Sequence, residues 1–392
     1  MTPSKQQISE IRKRYETELF ENVIPFWEKH SPDFVNGGFY NCLDRDGTVY
    51  DTTKHMWLQG RETWLFSKLY CDVAQKPEWL KIAKNGADFL KKFGLRESDN
   101  RAYFSVTENG KPVFMQRKIF SECFWIMAMA EYSRASGEAE YMRLAQEEFA
   151  RVWDWAFDWK KVGRPHFEGA ESLQNLAVPM ILLNLIEELD AGSTTSHRRE
   201  IEFCIERMLL HVHGDKKLVF ENVSLEGEFV NTPAGRHLNP GHAIEAAWFL
   251  QHWAARLSRP DLQDRAIEMV RWSHDLGWDK EWGGYFYFLD SAGYSPTQLE
   301  WNMKLWWPHC EALYAHLLNF SITSEASDWE RFVMVDAYTF SRFRDPLFGE
   351  WYGYLDKRGE VTHRFKGGPY KCAFHVPRAL WLCWRKLQQL EA

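Results

Sequence analysis

The chain repeats itself at a fixed spacing. The pattern L-D-x-x-G occurs as Leu43-Asp44-Arg45-Asp46-Gly47, Leu289-Asp290-Ser291-Ala292-Gly293 and Leu355-Asp356-Lys357-Arg358-Gly359. The first two are preceded at the same offset by Gly37-Gly38 and Gly283-Gly284, each leading into alternating aromatics. Weaker copies are Val106-Thr107-Glu108-Asn109-Gly110 and Val223-Ser224-Leu225-Glu226-Gly227. Each reads as a strand followed by a tight turn. The closing glycines stand at 47, 110, 227, 293 and 359, at intervals of 63, 117, 66 and 66 residues. The long interval is about double the others and predicts a degenerate sixth copy at Pro165-His166-Phe167-Glu168-Gly169. Self-similarity of this kind marks an architecture stacked from one supersecondary unit.

Two helix-period segments lie between consecutive turns. One is amphipathic and charged: Gln7 to Trp27, Glu78 to Phe93, Glu140 to Trp159, His197 to His213, Asp261 to Leu276 and Asp328 to Phe343. The other is apolar nearly all round: Trp57 to Ala74, Ile119 to Ala135, Leu173 to Leu189, Gly241 to Arg256, Leu305 to Phe320 and Ala373 to Leu387. A helix with one polar face is exposed on that side, whereas one without is enclosed by protein. Six of each, alternating, predict an all-α fold, an (α/α)6 barrel or toroid with short β-hairpins on the active-site side. An irregular helical bundle is the alternative that spacing alone leaves open.

Length by itself suggests two or three domains for 392 residues. Division into six units of about 65 residues replaces that with a single catalytic domain over 1–392. The 20 Trp, 27 Phe and 15 Tyr give material for filling a toroid and exclude a disordered chain. A net charge of −7 without any run of five Lys or Arg argues against nucleic acid as a partner. No stretch reaches the ~18 apolar residues of a membrane span. Seven scattered cysteines without a C-x-x-C pair read as reduced thiols, and the N-terminus enters a charged helical pattern at once, so a cytoplasmic location is expected.

In a toroid the starts of the inner helices converge on one mouth. Asn239-Pro240-Gly241-His242 opens one of them, with Asn239 as cap and Pro240 at the first helical position, and His242 and Glu245 share a face. Trp306-Trp307-Pro308-His309-Cys310-Glu311 lies on the fifth inner helix, Phe374-His375-Val376-Pro377-Arg378 on the sixth, and Trp57-Leu58-Gln59-Gly60-Arg61 on the first. His242 follows its repeat glycine by 15 residues, His309 and His375 by 16, and Arg61 by 14, so all four stand at one level. Each histidine taken alone reads equally as a hydrogen-bonded core residue, and the tryptophans read as packing before they read as sugar platforms. Lys366-Gly367-Gly368-Pro369-Tyr370-Lys371 lacks the spacing of a phosphate loop and is a turn, and no metal-binding motif is present.

These segments resemble the N-acylglucosamine 2-epimerases, known in animals as renin-binding proteins. The likeness includes Ile119-Phe120-Ser121-Glu122-Cys123-Phe124, Ala177-Val178-Pro179-Met180, Glu221-Asn222-Val223, Lys304-Leu305-Trp306-Trp307-Pro308-His309 and Gly349-Glu350-Trp351-Tyr352-Gly353-Tyr354-Leu355, besides the strings above. It implies the (α/α)6 barrel and the interconversion of N-acetylglucosamine and N-acetylmannosamine, in the context of sialic acid metabolism, with His242 and His375 as the two bases. It further implies Glu311 as the carboxylate that orients the sixth-helix histidine and Arg61 as the group that stabilises charge on the sugar carbonyl oxygen. Glu245 and His309 are further candidates for substrate contact, equally readable as structural, while Trp57, Gln59, Glu122, Asn175 and Lys304 line the pocket by position only. No cofactor is required for such chemistry. ATP is implied as an allosteric activator, at a site the sequence does not place. A homodimer is implied, but the leucine zipper described for animal members breaks here, because Leu182 and Leu189 are followed at heptad spacing by Ser196 and Phe203. The alternatives are an epimerase or aldose-ketose isomerase acting on unmodified sugars, a glycoside hydrolase using Glu122 and Glu245, and a pure binding protein.

Overall fold

The computed structural model describes residues 3–163, 165 and 167–392; His166 of the sixth copy lies outside the described residues. The five recognisable copies all build the same turn. The N–H of Gly47, Gly110, Gly227, Gly293 and Gly359 donates to the carbonyl three residues earlier, at 2.9 to 3.1 Å. Each of these glycines has φ between 81° and 90°, the left-handed region that a side chain disfavours. The Asp44, Thr107 and Asp356 turns close antiparallel pairs with a bulge, at 42–43 with 49–51, 105–106 with 112–114, and 354–355 with 361–363.

The helices are α1 (Lys5–Thr17), α2 (Ile24–His30), α3 (Met56–Asp72), α4 (Pro77–Phe93), α5 (Phe120–Ser136), α6 (Ala139–Trp155), α7 (Trp159–Val162), α8 (Ala177–Leu189), α9 (Arg198–Leu209), α10 (Pro240–Leu257), α11 (Pro260–Gly277), α12 (Trp306–Thr323), α13 (Ala326–Arg342) and α14 (His375–Glu391). A π-helical turn, Glu18–Val23, joins α1 to α2. The inner ring runs α3, α5, α8, α10, α12, α14, each packed on the next. It closes where Trp64 of α3 meets Phe374 beside α14, with ring centroids 5.3 Å apart. Around it α4, α6, α9, α11 and α13 each cover an inner partner, and α1 covers α14. This is the toroid the repeat predicts, with one apolar cluster continuous from Ile8 to Leu387.

The strands do more than form hairpins. The strand leaving one unit pairs with the turn of the next: 54–55 with 105–106, 173–175 with 222–224, 237–238 with 289–290, and 304–305 with 354–355. Leu173–Asn175 is therefore the exit strand of the degenerate unit, and the third inner helix begins at Ala177 rather than at Leu173. The fourth outer helix likewise stops at Leu209, because Val212–His213 pairs with Leu218–Val219. Leu182 and Leu189 are buried in the core, so they are not offered to a zipper.

A buried lysine–aspartate pair recurs with the unit: Lys54 with Asp33 at 2.7 Å, Lys304 with Asp279 at 2.8 Å and Lys366 with Asp345 at 3.0 Å. Each aspartate also accepts a backbone N–H of its own loop, fixing that loop to the segment that carries its lysine. No helix among the described residues is long and apolar enough to cross a membrane.

Candidate active site

The three-stranded sheet 304–305, 354–355, 361–363 and the starts of α3, α10, α12 and α14 enclose a cavity of about 580 Å³. Its walls are Trp57, Arg61, His242, Glu245, Tyr287, Glu300, Met303, Leu305, Trp306, Trp307, Tyr354, His363, Tyr370 and His375.

His242 is placed by the cap of α10. Asn239 Oδ1 accepts its backbone N–H at 3.2 Å, and Pro240 supplies the fixed first turn. Gly241 precedes it because a Cβ there would lie 2.6 Å from the Trp307 ring. That close approach seats Trp307 beside both imidazoles, with centroids 5.2 Å from His242 and 5.9 Å from His375.

Each imidazole has its Nδ1 held by a carboxylate. His242 Nδ1 donates to Glu221 Oε1 and Oε2 at 3.0 and 3.1 Å. His375 Nδ1 donates to Glu311 Oε1 at 2.6 Å. A carboxylate on Nδ1 fixes the neutral tautomer with its proton there and leaves Nε2 as the basic nitrogen for the cavity.

Glu311 is shared. Oε1 also takes Arg378 Nη2 at 2.8 Å and Oε2 takes Trp248 Nε1 at 2.9 Å, while the same Arg378 nitrogen reaches Glu245 Oε1 at 2.6 Å. Glu245, Glu311 and His375 bring ligand atoms within 4.8 Å of one another, but the cation bridging the two carboxylates is the Arg378 guanidinium.

Electrostatics separate the two histidines. Burial, then the Arg61 and Arg378 guanidinium groups, hold His375 well below the ordinary imidazole value. Burial pulls His242 the same way, but Glu221 overrides it and raises the value above normal. Glu221 itself is held down at about 2: burial works against this, and the charge of His242 prevails.

Arg61 lies between the faces of Trp57, Phe124 and Phe374, at 4.4, 4.2 and 4.7 Å from their centroids. Burial lowers its value to about 10, and its Nε makes no hydrogen bond within the protein. A buried guanidinium that lines the cavity and forms no ion pair among the described residues is suited to a developing oxyanion.

Of the residues singled out from sequence, Arg61, Trp57, His242, Glu245 and His375 line the cavity and Glu311 supports it from behind. Five do not belong to its wall. Gln59 turns toward the 39–41 loop, accepting Phe39 N–H and donating to Phe39 O and Asn41 Oδ1 at 2.8 to 2.9 Å. Glu122 is buried against Arg101 at 3.1 Å and the Ala102 N–H, which removes the Glu122/Glu245 pair a hydrolase would need. Lys304 is consumed by Asp279 as one of the recurring loop pins. His309 donates from Nδ1 to Leu305 O at 2.6 Å and accepts Tyr285 N–H on Nε2 at 2.9 Å, so both nitrogens are used in the core. Asn175 stands outside the cavity but donates to Glu221 Oε1 at 3.1 Å.

Sequence reasoning passed over Glu221, Arg378 and Trp248. Glu221 and Arg378 lie within strings that carry the family resemblance, so that was the only signal for them; their partners are 21 and 67 residues away in the chain.

The sequence profile of the N-acylglucosamine 2-epimerase (GlcNAc 2-epimerase) family matches residues 38–379. The N-acylglucosamine 2-epimerase of Mus musculus is 43% identical over 98% of this chain and 93% of its own length, and that of Homo sapiens is 41% identical over 98% and 91%. Among solved structures, the cellobiose 2-epimerase of Bacillus thermoamylovorans superposes with a TM-score of 0.83 at 19% identity, covering 97% of this chain and 100% of that one, which shows a shared fold. A profile spanning most of the chain and mammalian relatives above 40% identity agree on one assignment: the chain belongs to the N-acylglucosamine 2-epimerase family.

Proposed function

We propose that this protein is an isomerase that interconverts N-acetyl-D-glucosamine and N-acetyl-D-mannosamine by proton transfer at carbon 2 of the open-chain sugar. The C2–H bond is acidic only in the aldehyde form, where the electron pair left behind delocalises into the carbonyl. One imidazole takes the C2 proton through Nε2, the electron pair moves onto the carbonyl oxygen to give the enolate of the 2-acetamido aldehyde, and Arg61 stabilises that oxygen. The second imidazole returns a proton to the opposite face of C2, giving the epimer with no net change in atoms or electrons. Trp57, Trp306 and Trp307 offer apolar ring faces suited to a sugar backbone.

The observation that carries this reading is the pair of cavity-facing imidazoles, each with Nδ1 on its own carboxylate and both against Trp307. Support for an N-acylated substrate comes from the mammalian relatives at 41–43% identity, against 26% for the cellobiose 2-epimerase of Ruminococcus albus. The reading treats residues 1–392 as one catalytic domain, cytoplasmic, working as a homodimer in amino-sugar and sialic acid metabolism, with ATP as an activator rather than a reactant. Turnover measured on N-acetylmannosamine, mannose, cellobiose and fructose, with and without ATP, tests it. Fast turnover of the N-acetyl sugar alone is the expected result, and preference for an unmodified sugar would contradict it.

A further inference from the structure

Both imidazoles lie in the first turn of a helix, where aligned amide dipoles disfavour a positive charge. A charged imidazole there needs an uncompensated carboxylate, and the two sides of the cavity differ in just this respect. On the His375 side the carboxylates of Glu245 and Glu311 are both bound by Arg378, and Arg61 stands nearby as a second cation. Two negative and two positive charges offset one another, and the pull of Glu245 toward a proton on His375 is outweighed by burial and the two guanidinium groups.

On the His242 side both oxygens of Glu221 face Nδ1, at 3.0 and 3.1 Å, and the carboxylate's other hydrogen bond comes from the neutral amide of Asn175 at 3.1 Å. Asn175 is itself fixed: it donates to Asn222 Oδ1 at 2.9 Å, and its own Oδ1 accepts Ala177 N–H at 3.0 Å at the start of α8. The other titratable groups facing His242 are Glu245, Glu311, His237 and His375. Burial lowers His237 although Glu221 pulls it up, and the imidazole hydrogen-bonded to Glu221 is that of His242.

We propose that Glu221, held by Asn175, is the positioning residue that keeps His242 protonated, so that the resting enzyme carries its single transferable proton on His242 and presents His375 as the ready base. The proposal rests on the two-histidine reading above and adds an order to it. His375 Nε2 takes the C2 proton, His242 Nε2–H supplies the proton to the other face, and the enzyme leaves turnover with the proton on His375. The reverse reaction starts from that state, and exchange with solvent restores the resting one.

Active enzyme holds one proton across the pair, so kcat/KM falls at high pH when that proton is lost and at low pH when a second is gained. Glu221 favours the proton, which places the upper limb above the ordinary imidazole range. Glu221→Gln removes the charge at constant shape and is expected to move the upper limb down by about one to three pH units. Glu221→Asp, which keeps the charge, is expected to restore most of that shift. A profile merely scaled down in height, with its upper limb in place, would overturn the proposal. An NMR titration of the His242 imidazole in the unmodified protein, assigned by its loss in His242→Gln, gives a readout independent of any Glu221 variant folding. A midpoint above 6.5 is expected, and one at or below it would overturn the proposal. Deuterium incorporation by the unmodified enzyme in heavy water separates the two levels: label with an unmoved limb defeats the Glu221 role alone, and no label defeats the two-histidine reading beneath it.

Discussion

His375 Nδ1 lies 2.6 Å from Glu311 Oε1, and the same oxygen takes Arg378 Nη2 at 2.8 Å. One carboxylate therefore fixes the imidazole tautomer while its charge is balanced by a neighbouring guanidinium. Geometry of this kind leaves His375 neutral and oriented, the state in which an imidazole abstracts a proton.

Glu311→Gln removes the anion and lets an amide N–H or a carbonyl face Nδ1, so the tautomer is no longer fixed. Turnover is expected to fall by about 10²- to 10⁴-fold, with far-ultraviolet circular dichroism unchanged. Steady-state epimerisation rates check this, and a loss of only a few-fold would separate Glu311 from the chemistry.

Arg61→Lys keeps a positive charge but loses the planar group that fits between Trp57, Phe124 and Phe374. The oxyanion then loses its fixed donors, and kcat is expected to fall by about 10²- to 10³-fold. Comparison of kcat with KM is the measurement, since a residue serving only ground-state binding would raise KM and spare kcat.

Lys304→Met separates a loop pin from a substrate contact. It strands Asp279 in the core, a loss of about 3–5 kcal/mol for breaking a buried pair, so the denaturant midpoint is expected to drop. The turnover of the folded protein is expected to stay near that of the parent. Unchanged stability with lost turnover would return Lys304 to the site.

Acid should destabilise the fold through its buried histidines, against the opposing effect of Glu62, which burial raises to about 8. Burial pushes His309 down to about 3 and His55, His211 and His274 to about 4. Each is depressed below its unfolded value of about 6.5, so its contribution is complete above pH 6.5 and is lost as pH falls toward the folded values. Between those limits the unfolded chain binds protons that the native one refuses, and stability declines with pH. Urea unfolding at pH 7.5, 6 and 5 checks the sign, and a midpoint that rises on acidification would contradict it.

The toroid was legible because its turns need glycine at a positive φ and its helices fall into exposed and enclosed classes, both of which are written locally. The cross-unit strand pairs were not, since Leu173–Asn175 and Asn222–Ser224 show no sign of one another along the chain. His242, His375 and Arg61 shared a level after their repeat glycines, and that level is the cavity. His309 shared it too, yet its ring turns outward to Leu305 O and Tyr285 N–H, because offset along a helix fixes height more tightly than direction. Gln59, Glu122 and Lys304 misled for a common reason: polar groups at inner-helix starts are needed to hold the loops above them as well as to meet a substrate. Glu221 escaped notice because its role exists only once the strand carrying Asn222 is laid beside the start of α10.

Proton transfer at carbon 2 by His242 and His375 would leave an isotopic trace in the product. The most direct measurement is mass and NMR analysis of sugar recovered after incubating N-acetylmannosamine with the enzyme in deuterated water. Deuterium at carbon 2 of the N-acetylglucosamine formed, and its loss in His242→Ala and His375→Ala proteins that remain folded, is the predicted result. Epimer formed without label at carbon 2 would contradict the account.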